Sequence, residues 1–192
     1  MTKRKLDISI DLDSEKEIQN ISKIIVIENH LYFNLLINNE NLKLLKMRIN
    51  DIIEDYNFNN DKKVIYLHIN SCGGYVKDLI KNIDIFDLSV KIISVIENSI
   101  SDCAILLSGL CETRLCKKHS KFTMRVILRN YWYLLKQCED IEIKEYREHL
   151  KLLFIKISKQ RLSGENIEKM FQYGGEWNST KLKRLGLVDE II

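Results

Sequence analysis

Ser101 stands where a β-branched run, Val90 to Ile96, gives way to an apolar stretch through Ala104, Leu107 and Ser108 to Gly109. The spacing predicts a strand followed by a helix that Ser101 opens. A hydroxyl there sits over backbone N–H groups and the positive end of a helix dipole, a setting that suits a nucleophile and equally a plain helix N-cap. A similar passage precedes it: Val64 to Asn70 is a short apolar strand, and Ser71-Cys72-Gly73-Gly74 is a glycine turn. Val76, Leu79, Ile80, Ile83 and Phe86 then recur every three or four residues, as on a helix. The glycines alone require no more than a tight turn, because glycine is the default wherever φ is positive.

The elements that must position these residues are legible from periodicity. Ile24 to Ile37 is rich in strand formers, and Asn41 to Tyr56 carries Leu44, Leu45, Ile49, Ile52 and Ile53 at helical spacing. Asn57 to Lys63 is a polar turn, and Thr113 to Val126 is strand material around Lys117-Lys118-His119-Ser120. Asp140 to Gln160 reads as one long helix whose stripe of Tyr146, Leu150, Leu153, Phe154 and Ile157 is bordered by Glu142, Glu145, Glu148, Lys151 and Lys156. A helix this long in so small a domain is expected to pack on another subunit. Ser163-x-Glu165 opens a short helix, and Leu182 to Ile192 forms a helix, a glycine and an apolar strand. Two successive β-α units argue for an α/β fold. Met1 to Ser22 shows no sustained period, so residues 1–22 are read as an arm and 23–192 as a single domain with its helix at 140–160.

The 192 residues (22.7 kDa) suit one domain, and 45% hydrophobic with 30% charged residues is ordinary globular composition. A net charge of +3 excludes a nucleic-acid arm or an acidic disordered tail. No apolar run approaches the roughly 20 residues of a membrane span, and the first twenty residues lack a signal-peptide apolar region. Proline is absent where average usage of about 5% gives about ten, and Ala104 is the single alanine. Ile, Lys and Asn abound, so the bias follows AT-rich codons and says little about function. Cys72, Cys103, Cys111, Cys116 and Cys138 are odd in number and form no CxxC pair, which argues against a disulfide framework or zinc ribbon and for a reducing compartment.

The two passages together are specific. Ile69-Asn70-Ser71-Cys72-Gly73-Gly74, then helix, strand and Ser101-Asp102-Cys103-Ala104-Ile105-Leu106-Leu107, resemble the ClpP family of serine peptidases in order and spacing. Leu31-Tyr32-Phe33 is similar to the family's first strand, Asp140-Ile141-Glu142-Ile143 to the start of its handle helix, and Gly186-Leu187-Val188-Asp189 to its C-terminal signature. The resemblance implies a crotonase-like spiral of β-β-α units and a seven-subunit ring stacked through handle helices. It also implies a Ser-His-Asp triad, which this chain carries only in part. Ser101 matches the nucleophile, Arg125 falls on the histidine and Gly175 on the aspartate, with Glu176 the nearest carboxylate.

An arginine is deprotonated in about one molecule in 10⁵ at neutral pH and cannot take the serine proton. Loss of a triad member costs about 10⁴-fold in kcat. The resemblance gives the oxyanion donors as the N–H groups of Gly74 and Asp102, where the Asp102 carboxylate adds unwelcome negative charge. Where the family has Gly-x-Ala-Ala before the serine, this chain has Glu97-Asn98-Ser99-Ile100. Substitute bases are His119, in a polar turn one strand away, and Lys121, which needs its pKa lowered by several units. His30, His68 and His149 read as surface or core histidines, and Cys103 as a small core residue.

The expectation is therefore a non-catalytic, ClpR-type subunit of a Clp protease ring, with no cofactor or metal. The resemblance implies active ClpP and a hexameric AAA+ Clp ATPase as partners, the latter docking in apolar clefts where Tyr66 and His68 match aromatic positions. The alternative is an active serine peptidase using Ser101 with a non-standard base. A third reading, acyl-CoA chemistry on the same spiral, is disfavoured by the handle helix and C-terminal signature. ClpR-type paralogues belong to plastids and cyanobacteria, and the codon bias suits the apicoplast stroma of an apicomplexan parasite.

Overall fold

Alternation of buried and half-buried residues shapes the sheets. In the computed structural model, which describes residues 24–55, 64–86, 90–124 and 141–192, the strands are β1 (Ile25–Ile27), β2 (His30–Phe33), β3 (Val64–Ile69), β4 (Lys91–Ile96), β5 (Ser99–Ser101), β6 (Thr113–Cys116), β7 (Lys121–Met124), β8 (Gly175–Asn178) and β9 (Glu190–Ile191). The helices are α1 (Asn39–Asp55), α2 (Val76–Lys81), α3 (Ala104–Gly109), α4 (Ile141–Ile157), α5 (Gly164–Tyr173) and α6 (Ser179–Arg184). Side chains of 55 and 141–147 lie outside this description, as do the arm at 1–22, Arg125 and Cys138.

The larger sheet runs β1-β2-β3-β4-β6-β9, parallel except for the antiparallel β1–β2 pair; the smaller runs β5-β7-β8. The fold is thus mixed α/β. On β3, Ile65, Leu67 and Ile69 point to the core, while Val64, Tyr66 and His68 share the other, half-buried face. Helix α1 covers the core with Leu42, Leu45, Ile49 and Ile52, each buried. Each such side chain contributes about 2 kcal/mol of transfer free energy. Buried residues of both sheets and of the helices join in one cluster.

Two expectations change. The apolar repeat from Val76 to Phe86 is not one helix: α2 stops at Asn82, and Ile83–Phe86 is a separate 3-10 turn. Asn82 leaves helical geometry (φ −112°, ψ 25°), and its side-chain amide donates to the Asp78 carbonyl and to Asn39 Oδ1. Such local amide bonds compete with helix continuation. Ser101 does not open α3 but ends β5, and α3 begins at Ala104. The C-terminal half of α4 packs in the core: Leu150, Phe154 and Ile157 are buried, and Phe154 meets Phe171 of α5 edge-on at 5.5 Å. Leu152 is exposed on the same helix.

A charged clasp closes the C-terminal end. Arg114 of β6 is buried; its Nε and Nη2 donate to Asp189 at 3.0 and 2.8 Å, and its Nη1 donates to the Ile157 carbonyl at the end of α4. The Arg114 backbone N–H also donates to Asp189 at 3.0 Å, and Lys159 pairs with the same carboxylate.

Candidate functional site

Two strand ends meet at Ser101. Its N–H donates to the Ser71 carbonyl at 2.9 Å, tying the end of β5 to the segment after β3. Buried Ser71 holds that segment, donating from Oγ to the Leu35 carbonyl (2.6 Å) and accepting from the Gly73 N–H (3.2 Å). The chain then reverses at Asp102, whose φ of +50° is unusual for a residue with a side chain. Gly73 (φ +90°) packs so closely on this reversal that a Cβ would lie 2.7 Å from the Ser101 carbonyl oxygen. Gly74 is bridged to Ile37: the Ile37 N–H donates to Gly73 O at 2.8 Å, and the Tyr75 N–H donates to Ile37 O at 2.7 Å.

One of the two groups that could serve an oxyanion is already engaged. The Asp102 N–H donates to the Thr123 carbonyl at 3.0 Å. Cys103, two residues beyond the serine, is buried, and nearby backbone N–H groups favour its thiolate. Burial dominates all the same: together with the Asp102 carboxylate it pushes the Cys103 thiol up to about 12, and burial pushes Cys111 up to about 12. At pH 8 about one molecule in 10⁴ carries either thiolate, the form that alkylates. Iodoacetamide at pH 8 is therefore expected to modify exposed Cys72 and to spare Cys103 and Cys111, read by peptide mass spectrometry on the native chain.

The smaller sheet sets the rest of the neighbourhood. Its register puts Ser101 beside Thr123 and Thr123 beside Glu176, with Ile100, Phe122 and Trp177 in the next row. Half-buried Ser101 has no hydroxyl partner among the described residues. Gly175 lies opposite Met124, the neighbour of Arg125. Its φ of +152° disfavours any side chain, and a Cβ there would meet the Trp177 ring at 3.0 Å. Position 175 therefore has a backbone shaped for glycine, not for an aspartate.

The substitute bases point elsewhere. Lys121 Nζ pairs with Glu176 Oε1 at 2.8 Å at the exposed surface, and that hydrogen bond raises the lysine pKa, the reverse of what a base requires. His119 Nε2 lies 3.2 Å from Asn98 Oδ1. From there β5 carries the chain three residues on, about 10 Å, to Ser101. His149 is exposed on α4. Glu97 is no neighbour of the serine either: both of its carboxylate oxygens are engaged, one with His68 and the other with Lys117.

That contact belongs to a second cluster, on the half-buried face of the larger sheet. The β2–β3 register pairs His30 with Tyr66 and Tyr32 with His68. The rings stack: His30 on Tyr66 at 4.8 Å, Tyr32 on His68 at 4.4 Å, and His30 near His68 at 5.1 Å between centroids. His30 Nδ1 lies 2.8 Å from His68 Nε2, and His68 Nδ1 lies 2.5 Å from Glu97 Oε1. Burial alone would raise the Glu97 pKa, but the hydrogen bonds from Lys117 and His68 outweigh it and hold the carboxyl below its ordinary range. Tyr66 and His68 share a face as their alternation implies. His30, Glu97 and Lys117 join them only through strand register, a signal that residue types do not carry. No group of three or more metal-ligating side chains converges among the described residues, and none of their helices is long and apolar enough to cross a membrane.

No family model matches the sequence, and no curated protein matches it. The fold does match a solved one. A point mutant of ClpP1 from Listeria monocytogenes superposes with a TM-score of 0.69, covering 94% of this chain and 96% of that chain at 18% identity. This chain therefore has the fold of ClpP1 over nearly its whole length.

Proposed function

We propose that this chain is a non-catalytic, ClpR-type member of the Clp protease family, a structural or regulatory subunit of a protease ring. The fold likeness supports the family, and the implied architecture is the crotonase-like spiral with its handle helix, stacked as seven-subunit rings. One observation carries the non-catalytic part: at the turn after Ser101 the Asp102 N–H, one of the two expected oxyanion donors, is already donated to the Thr123 carbonyl. Losing a single oxyanion donor costs about 10²–10³-fold in kcat, and an absent base a further large factor. Arg125 at the base position and Gly175 at the acid position point the same way.

The partners are active ClpP in a mixed or homomeric ring, and a hexameric AAA+ Clp ATPase docking over Tyr66 and His68. The proposed compartment is a plastid stroma of the apicoplast kind. Purified chain is expected to leave short fluorogenic peptides uncleaved at the level of buffer, and Ser101→Ala is expected to change nothing, while native mass spectrometry with active ClpP detects mixed rings. Hydrolysis that disappears in Ser101→Ala would establish the alternative, an active serine peptidase with a non-standard base.

A further inference from the structure

The larger sheet has an unguarded edge. Strand β1 ends it among the described residues, and all three β1 residues are apolar and exposed, Ile25 and Ile27 by more than half (51% and 56%). An edge of this kind accepts another strand, and proteins commonly protect one with charge or proline, neither of which β1 contains. We infer that the occupant of this edge is the chain's own segment 6–13, added antiparallel to β1 as a further strand of the sheet. The inference is independent of the function proposed above.

The backbone of β1 is set to receive it. The Tyr66 N–H donates to the Asn29 carbonyl at 2.9 Å and the Asn70 N–H to the Phe33 carbonyl at 3.1 Å, so the odd-numbered residues of this stretch turn their polar backbone groups to β3. His30 and Tyr32 therefore turn theirs to β1. Their partners Ile27 and Ile25 are engaged in this way, and the same alternation leaves the Val26 N–H and C=O on the open side. The hairpin that presents them is held in place, because the Asn29 side-chain amide donates to the Val64 carbonyl at 2.8 Å. An incoming strand finds a donor and an acceptor on one residue, with an exposed isoleucine on either side.

The sequence supplies a matching strand. Residues 1–22 as a whole keep no one period, yet within them Leu6, Ile8, Ile10 and Leu12 alternate strictly with Asp7, Ser9, Asp11 and Asp13. Apolar residues on one side and polar residues on the other make the pattern of a strand with one face covered. Ten residues, 14–23, join this segment to Ile24. Antiparallel neighbours about 5 Å apart need only a reversal of the chain, and no crossover. With Leu6, Ile8, Ile10 and Leu12 on the side of Ile25 and Ile27, each exposed isoleucine gains an apolar neighbour. The aspartates then give the new edge the charge that β1 lacks, which keeps the sheet from pairing further.

Amide hydrogen exchange of the full chain, resolved to single residues by electron-transfer fragmentation, reads this edge at one atom. The Val26 N–H is expected to exchange about thirtyfold more slowly than in an unstructured peptide, the factor that two ordinary hydrogen bonds supply, and to do so equally after dilution. In Ile8→Asp/Ile10→Asp, and likewise on removal of residues 1–13, that protection is expected to vanish. The Tyr66 N–H, bonded to Asn29 inside the sheet, is expected to stay as slow as in the parent, which shows that the fold is intact. Exchange of Val26 in the parent at the unstructured rate overturns the inference, because the edge is then open. Protection that fades on dilution overturns it in favour of a second copy of the chain, and protection that survives both variants overturns it in favour of another segment.

Discussion

Asp189→Asn is expected to be about 3 kcal/mol less stable than the parent chain, a midpoint shift of about 1.5 M in a urea titration at pH 7. The reason lies in what is left behind. Arg114 is 2% exposed, and without Asp189 its guanidinium keeps the Ile157 carbonyl but loses two charge-assisted bonds to a carboxylate. An uncompensated buried charge costs more than the intact pair contributes, so Arg114→Met/Asp189→Leu, which removes both charges, is expected to recover most of the loss. A double variant as unstable as Asp189→Asn would show that packing at the end of α4, not charge, sets the effect. Acid dependence gives a second reading. Burial opposes ionisation of Asp189, but the hydrogen bonds from Arg114 and Lys159 prevail and hold its carboxyl well below the usual carboxylate range. A folded pKa below the unfolded value of about 3.9 makes this stabilisation complete above that pH and lost as acid titrates the folded form. The stability of Asp189→Asn is therefore expected to fall less steeply than that of the parent below pH 4.

The clasp also shows how far residue order reaches. Gly186-Leu187-Val188-Asp189 was recognisable as a motif, yet nothing in it names Arg114, seventy-five residues earlier, as the partner. Strands β3, β4, β6 and β7 and helices α1 and α5 were legible because their burial follows local periods of two or 3.6 residues. Ser163 caps α5 as its Ser-x-Glu pattern predicts, accepting from the Asn166 N–H at 3.2 Å. Apart from the break at Asn82, which is local, the failures share a cause: tertiary register decided them. The apolar stretch from Ala104 to Gly109 predicts a helix opened by Ser101, but pairing with Thr123 keeps the serine in a strand and leaves α3 only six residues. Glu97 is recognisable in sequence only as a departure from the family's Gly-x-Ala-Ala, and it is the parallel pairing of β3 with β4 that brings its carboxylate to His68. The serine's surroundings were legible as residue types, and the commitment of the Asp102 N–H was not.

Gly74→Ala is expected to cost about 4 kcal/mol and to lower Tm by on the order of 10 °C. A Cβ on Gly74 would lie 2.1 Å from the Ile37 carbonyl oxygen and 2.7 Å from the Ile37 nitrogen. Both contacts are backbone, so no side chain can swing aside. The φ of +151° adds strain of about 1–3 kcal/mol for any residue with a Cβ, and displacing Ile37 breaks hydrogen bonds worth about 1 kcal/mol each. Gly164→Ala is the matched control. Its Cβ would meet the Lys151 Cε at 2.7 Å, the far end of a flexible side chain, at the first residue of α5, and is expected to change stability by no more than about 0.5 kcal/mol. The functional consequence follows from the adjoining contact: Gly73 is pressed on the Ser101 carbonyl, so a turn driven off Ile37 also releases the Asp102 reversal and exposes the Cys103 thiol. Iodoacetamide at pH 8 is then expected to reach Cys103 in Gly74→Ala while sparing it in Gly164→Ala. Equal protection in both would mean that the glycine turn and the serine turn are held independently, and that the closure of this site does not depend on Ile37.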